Sequence, residues 1–216
     1  MVMNITVGQK KYKFNLFKNK IYIKIIMTTL KEGDMIPNVT FKMRVRNDSD
    51  DENPFEWKDM TTEDLFGDKR IVLFSLPGAF TPTCSSQHLP QYEKHYQEVR
   101  NLNVDDVYCL SVNDAFVMRQ WGLHQNLPEN KTPQSLGFQN VKLLPDGACL
   151  FTDGMGMSCT WTTERGFGKR SWRYSMVVNN MKIEKLLVEE SRVEDSGPDP
   201  FEVSDVNTML NYLKKV

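Results

Sequence analysis

No apolar run in the 216 residues approaches the roughly 18 that a membrane-spanning helix needs. The 27 basic and 28 acidic side chains leave a net charge of -1, so no global field draws the chain to nucleic acid or to a membrane surface. Cysteine is scarce. Cys84, Cys109, Cys149 and Cys159 are too few and too widely spaced for a disulfide framework, and no CxxC pair suggests a zinc site or a dithiol couple. A reducing, cytoplasmic setting is therefore the expectation. Residues 1–26 lack arginine and are poor in serine, which argues against a mitochondrial presequence, and no small-residue cleavage pattern marks a secretory one. An organelle is the alternative location if that stretch is a presequence.

With 40% hydrophobic and 25% charged residues, the composition is that of an ordinary globular protein with one sizeable core. Residues 1–26 stand apart, holding six lysines and no acidic residue interleaved with Ile, Phe and Tyr. The alternation from Lys20 to Ile25 reads as an edge strand or an amphipathic patch. The preferred reading makes Met27 the physiological start, leaving 1–29 as an extension and 30–216 as the single domain.

The chain is organised around Leu76 to His88. Ile71 to Leu76 is a continuous apolar run, as in a strand buried on both faces of a largely parallel sheet, and Pro77-Gly78 stops it. Thr81-Pro82 reads as an N-cap and first helical position: the hydroxyl can accept from early helix amides, and proline lacks a donor that would be orphaned there. That places Cys84 in the first helical turn, where about half a unit of positive charge and free amides favour a thiolate over a thiol. Gly78 lets a small substrate approach the backbone. The competing reading, a buried structural cysteine, stands level with the reactive one on these residues alone.

Along the rest of the chain, Val39, Phe41, Met43 and Val45 alternate as in a strand, Thr61 to Phe66 is a short helix stopped by Gly67, and Asn47 to Asn53 is a solvated loop. Leu89, Tyr92, Tyr96 and Val99 recur at helical spacing, with a kink expected at Pro90. His88, four residues after Cys84, shares its helical face and invites a Cys/His hydrolase or metal reading; with no third ligand or orienting carboxylate placed beside it, a packing role is preferred. Val107 to Val112 is the next buried strand, followed by a helix from Asp114 with Phe116, Val117, Trp121 and Leu123 inward, a long loop over 126–137, and a strand from Val141 to Leu144. Cys149 to Met155 reads as a short helix. Tyr174 to Val178 and Lys182 to Val188 form a hairpin around Asn179-Asn180, and Ser204-Asp205 caps a terminal helix. Strands alternating with helices indicate an α/β sheet.

Pro77-Gly78-Ala79-Phe80-Thr81-Pro82-Thr83-Cys84 resembles the active-site signature of peroxiredoxins in its peroxiredoxin 5 form. Cys109 to Val117 resembles that subfamily's second core strand and following helix, and Arg170 to Val178 the strand that brings its active-site arginine. Three matches in family order, within a resemblance running from about Leu30 onward, imply a thioredoxin-like fold with a central mixed sheet flanked by helices. The implied activity is a thiol-dependent peroxidase acting on hydrogen peroxide and alkyl hydroperoxides. Cys84 would be the nucleophile, Thr81 and Arg173 its catalytic partners, Pro77 its shield, and Gly78 and Thr83 part of the substrate pocket. Arg173 is preferred to Arg170 because it directly precedes Tyr-Ser-Met-Val-Val. The family uses no metal or other cofactor.

Attack on peroxide leaves a sulfenic acid that a thiol must reduce. Two-cysteine members carry a resolving cysteine shortly before the terminal helix, but Pro200 to Asp205 has none. The resemblance therefore implies a one-cysteine cycle with glutathione, aided by glutaredoxin, as reductant, thioredoxin being possible. Cys109 is expected to be inert core and Cys149 and Cys159 to lie off the resolving positions, with Cys159 left open as a participant. A homodimer is the implied assembly. The alternative is a redox sensor or holdase using oxidised Cys84 without efficient turnover.

Overall fold

The computed structural model describes residues 2–7, 10–17 and 20–27 by their backbone as strands, and residues 29–48 and 52–216 with their side chains. Strands β1 (Val2–Val7), β2 (Lys10–Phe17) and β3 (Lys20–Met27) pair antiparallel in that order, so the Lys20 to Ile25 stretch lies in an edge strand. Residue 28, next to the expected start at Met27, and residues 49–51 of the acidic loop lie outside the described residues.

Strands β4 (Thr40–Arg46) and β5 (Phe55–Thr61) form a separate antiparallel ladder. Phe41, Met43 and Val45 point into the core as their alternation predicts. β5 carries no such signature, because its side chains stay largely exposed. Helix α1 (Thr62–Phe66) opens on a reciprocal cap: Asp64 N donates to Thr61 Oγ1 at 3.1 Å and Thr61 N to the Asp64 carboxylate at 2.7 Å.

The apolar run forms β6 (Arg70–Ser75), the middle strand of the main sheet. After it come a π-helical turn (Cys84–His88), α2 (Leu89–Lys94), α3 (Tyr96–Arg100), β7 (Asp106–Ser111), α4 (Ala115–His124), β8 (Lys142–Pro145) and α5 (Leu150–Gly154). Strands β9 (Ser158–Trp161) and β10 (Gly168–Ser171) make a small ladder, β11 (Tyr174–Asn179) and β12 (Lys182–Val188) a hairpin, and α6 (Val206–Leu213) ends the chain. The main sheet runs β12-β11-β6-β7-β8, with β6, β7 and β8 parallel and β11 antiparallel to β6. This is the thioredoxin-like arrangement, a mixed sheet flanked by helices.

The two-residue period of β6 divides the core. Val72 and Phe74 pack with Leu89, Tyr92, Trp121 and Met209 on one face, whereas Ile71 and Leu73 pack with Phe66, Tyr108, Phe151 and Met176 on the other. Cys84 belongs to the first cluster. Asp114 and Asp205 cap α4 and α6 through their carboxylates.

Several local expectations are corrected. The disturbance expected at Pro90 takes the form of a π-helical turn just before it: Pro90 has no N–H to return to the preceding turn, and Leu89 N reaches Cys84 O. A further break falls at His95. Phe116 points outward, 55% exposed, and packs edge-on against Trp57; Ala115, Met118, Trp121 and Gly122 form the inner face of α4. The hairpin turn lies one residue later than expected, at Asn180-Met181, both with positive φ. The segment 170–178 is two strands, and the break between them at Trp172-Arg173 is where the arginine sits.

Candidate active site

The antiparallel register pairs Tyr174 with Ser75, so Arg173 emerges beside the carboxyl end of β6, where the chain turns toward Cys84. Residues distant in sequence thereby meet. Arg173 Nη1 donates to Cys84 Sγ at 3.5 Å and to His88 Nδ1 at 3.2 Å, and Nη2 donates to Asp199 Oδ1 at 2.6 Å. The guanidinium also lies 5.6 Å from the Phe201 ring centroid. Arg173 is 1% exposed and Cys84 fully buried. Burial alone would lower the guanidinium's pKa, yet Cys84 and Asp199 carry it above its ordinary value, so the charge is permanent. Arg173 Nε has no protein partner and is a donor free for a ligand.

His88 is fully buried and bridges two segments. Its Nε2 lies 3.2 Å from Ser204 O, which fixes the proton on Nε2 and leaves Nδ1 to accept from Arg173. Burial, and then the neighbouring Arg173 charge, hold its pKa well below 6.5. With Nδ1 occupied by a guanidinium, His88 has no lone pair to take a proton from Cys84, so the geometry offers no Cys/His hydrolase base.

Beside the turn that carries Cys84 opens a mouth of ≈ 390 Å³ lined by Pro77, Thr81, Pro82, Thr83, Arg165, Phe167 and Asp199; Cys84 and Arg173 lie buried behind that wall. Thr81 differs from the capping expectation: its hydroxyl donates back to Gly78 O at 2.8 Å, and it is the Thr81 carbonyl that receives the first α-helical bond, from Ser85 N at 3.0 Å. Phe80 takes φ 64 within this turn, next to the Thr81 hydroxyl that closes back on Gly78. The amides of Thr83 and Cys84 precede that first bond and have no intrahelical acceptor. Gly78, expected in the substrate pocket, is not among the residues that line the mouth. A Cβ there would stand 3.1 Å from Arg170 Nη1 and 3.4 Å from Thr81 Cγ2, so its bareness makes room for Arg170.

All four cysteines are free, and Cys109 shares the core cluster of Cys84. Burial pushes the Cys109 thiol well above its ordinary range. Cys149 is raised to about 12, by burial and then by Asp153 and Asp146, and Cys159 to about 11, by burial and then by Glu194. Cys159 Sγ donates to Val193 O at 2.9 Å.

Sequence reasoning missed Asp199 and Glu189, which fall in the polar, Pro- and Gly-containing stretch between the hairpin and the terminal helix. Buried Glu189 accepts at Oε1 from Glu202 N, Val203 N, Ser204 N and Ser204 Oγ, at 3.0, 3.0, 2.8 and 2.7 Å. It thereby holds the segment that presents Phe201 and Ser204 O to Arg173 and His88. A buried carboxylate gathering consecutive amides has no local sequence mark.

A cysteine under a helix start, faced by a buried cation on a thioredoxin-like sheet, defines a thiol redox protein of the redoxin class, and the family model described as Redoxin matches residues 31–210. Peroxiredoxin sll1621 of Synechocystis sp. is 54% identical over 182 residues, 84% of this chain and 90% of that protein. The Plasmodium falciparum antioxidant protein, a 1-Cys peroxiredoxin, superposes with a TM-score of 0.75 at 34% identity, covering 86% of this chain and 100% of that one. Reduced Prx3 from Vibrio vulnificus, solved in complex with H2O2, superposes with a TM-score of 0.68 at 33% identity, covering 86% and 97%. The chain belongs to the peroxiredoxin family, whose shared activity is thiol-dependent peroxide reduction.

Proposed function

We propose that this chain is a one-cysteine peroxiredoxin of the peroxiredoxin 5 type, with residues 30–216 as the working domain and Cys84 as the nucleophile. The observation that carries this reading is the 3.5 Å contact from Arg173 Nη1 to Cys84 Sγ inside a buried pocket. A donor of fixed positive charge is a fitting partner for a thiolate; a peroxide seated on the sulfur would be offered the unpartnered Arg173 Nε and the early helix amides, with the Thr81 hydroxyl available if it turns from Gly78 O. Sulfur attacks one oxygen and the O–O bond breaks. Cys84 becomes a sulfenic acid, and the other oxygen leaves as water or an alcohol after taking a proton. Pro77 and Thr83 wall the pocket against solvent.

An external thiol completes the cycle in this reading, glutathione with glutaredoxin being preferred to thioredoxin. Support comes from the cysteines, since burial raises the Cys109, Cys149 and Cys159 thiols above their ordinary range and residues 200–205 contain none. The likeness to a 1-Cys peroxiredoxin points the same way. A homodimer in a reducing, cytoplasmic setting is the corresponding assembly and location.

The test is peroxide consumption by Cys84→Ser, Cys109→Ser, Cys149→Ser and Cys159→Ser proteins supplied with glutathione and glutaredoxin or with thioredoxin. Only Cys84→Ser should abolish turnover, and glutathione with glutaredoxin should sustain the faster cycle. Oxidation once per chain without recycling would make the protein a sensor. Turnover surviving in Cys84→Ser would end the assignment.

A further inference from the structure

Arg165 is a half-buried cation on the wall of the mouth, and among the described residues no carboxylate lies within ion-pair distance of it. Its guanidinium is held in place: Nη2 donates to Gly197 O and the group lies 5.9 Å from the Phe167 ring centroid. The same mouth is lined by Asp199, which uses Oδ1 on Arg173. A carboxylate has about four acceptor sites, so Asp199 retains capacity for another donor. The Arg173 and Asp199 charges offset each other, leaving the mouth with one uncompensated positive charge. Its apolar walls are Pro77 and Phe167, and its ≈ 390 Å³ lies within the roughly 300–1,000 Å³ of small-molecule sites.

A cation and an anion beside an apolar wall match the two charges of an α-amino acid head, and the surplus cation matches a ligand of net negative charge. We infer that the mouth beside the Cys84 turn seats the amino-acid end of a peptide thiol, its carboxylate on Arg165 and its ammonium on Asp199, with the thiol directed at the neighbouring Cys84. This deepens the reading of glutathione as reductant and rests on it. The seated thiol's sulfur attacks the Cys84 sulfenic sulfur: an S–S bond forms, the S–O bond breaks, and hydroxide leaves with the thiol proton as water. A second thiol then attacks the mixed disulfide, releasing the oxidised dimer and returning Cys84 to its reduced form. Arg165 is thus a determinant of reductant choice.

The experiment oxidises the full chain with one equivalent of hydrogen peroxide and follows decay of the Cys84 sulfenic acid in stopped flow with glutathione or with uncharged 2-mercaptoethanol. Loss of a charge-assisted bond should slow the glutathione reaction of Arg165→Gln by roughly 10- to 100-fold. The 2-mercaptoethanol reaction should fall far less, Arg165→Lys should recover part of the glutathione rate, and Lys94→Gln, which removes a charge elsewhere, should behave as wild type. If glutathione reduces wild type and Arg165→Gln equally well, or if Arg165→Gln slows both thiols alike, the seat is overturned while the glutathione cycle stands. If 2-mercaptoethanol reduces wild type and glutathione does not, the glutathione reading falls and this inference with it.

Discussion

Asp199 accepts from Arg173 at 2.6 Å, in the ion pair whose cation is the most completely buried among the described residues. Without that carboxylate, the buried guanidinium would be left with Cys84 as its remaining anionic partner. Breaking a buried pair from one side costs roughly 3–5 kcal/mol, and the partial exposure of Asp199 places Asp199→Ala toward the low end. Chemical denaturation should show that loss, and peroxide reduction should slow because Arg173 is no longer held against the sulfur. Replacing both members, as Arg173→Met with Asp199→Leu, should restore much of the stability and none of the activity. An unshifted Asp199→Ala denaturation midpoint would mean the pair does not anchor the arginine.

His88 imposes a pH dependence whose sign follows from its environment. Its folded pKa lies well below the ordinary 6.5, from burial first and Arg173 second. Below 6.5 the unfolded chain therefore binds a proton that the folded chain refuses, and stability falls as pH drops from that value toward the folded pKa. Above 6.5 the contribution is complete and flat. Unfolding free energies measured between pH 7.5 and 5 should decline more steeply for wild type than for His88→Gln, which cannot take up the proton. Parallel slopes would contradict a neutral, buried imidazole.

What the sequence discloses about this molecule is local. The buried run of β6, the caps at Thr61, Asp114 and Asp205, and the alternation of β4 are governed by neighbours within a few residues, so they can be read from the chain. Cys84 and Arg173 become legible together only through a recurring pattern, since nothing near Arg173 says which cysteine it will face. Where long-range packing decides, the reading loses ground. Phe116 sits at a position that helical spacing makes inward, but it turns out to Trp57 on a hairpin whose second strand has no apolar period. Glu189 and Asp199 belong to a segment polar enough to pass for solvent-facing loop, and become structural only when Ser204 and Arg173 arrive beside them. Pro90 announces a disturbance, but its resolution as a wider turn depends on what the helix must pack against.

The four thiols should differ sharply in reactivity. With pKa values of about 12 and about 11, Cys149 and Cys159 are thiolate at pH 7.5 to an extent on the order of one in a thousand or less, and Cys109 lies in the core of the main sheet. Brief exposure to hydrogen peroxide with dimedone should add one adduct per folded chain, mapped by mass spectrometry to Cys84. Denaturant should abolish that selectivity. Comparable labelling of Cys159 in the folded protein would bring a second sulfur into the cycle.

Glu189 has no contact with the sulfur, yet the arrangement around Arg173 depends on it. One oxygen gathers three amides and a hydroxyl from residues 202–204, and Ser204 O in turn accepts from His88 and from the Tyr92 hydroxyl. Glu189→Gln keeps a carbonyl in the same place and loses the charge, so it should cost about 1–2 kcal/mol, the difference between charged and neutral acceptors at a buried site. Glu189→Ala strands several buried donors at once and should cost more, roughly 3 kcal/mol or above. Because Phe201 and Ser204 would then be free to leave the site, Glu189→Ala should also slow peroxide reduction beyond its effect on the folded fraction, whereas Glu189→Gln should retain most of the rate. Stopped-flow oxidation at a temperature where both variants are folded separates the two effects. Equal rates in both variants would show that this carboxylate stabilises the fold without positioning the arginine.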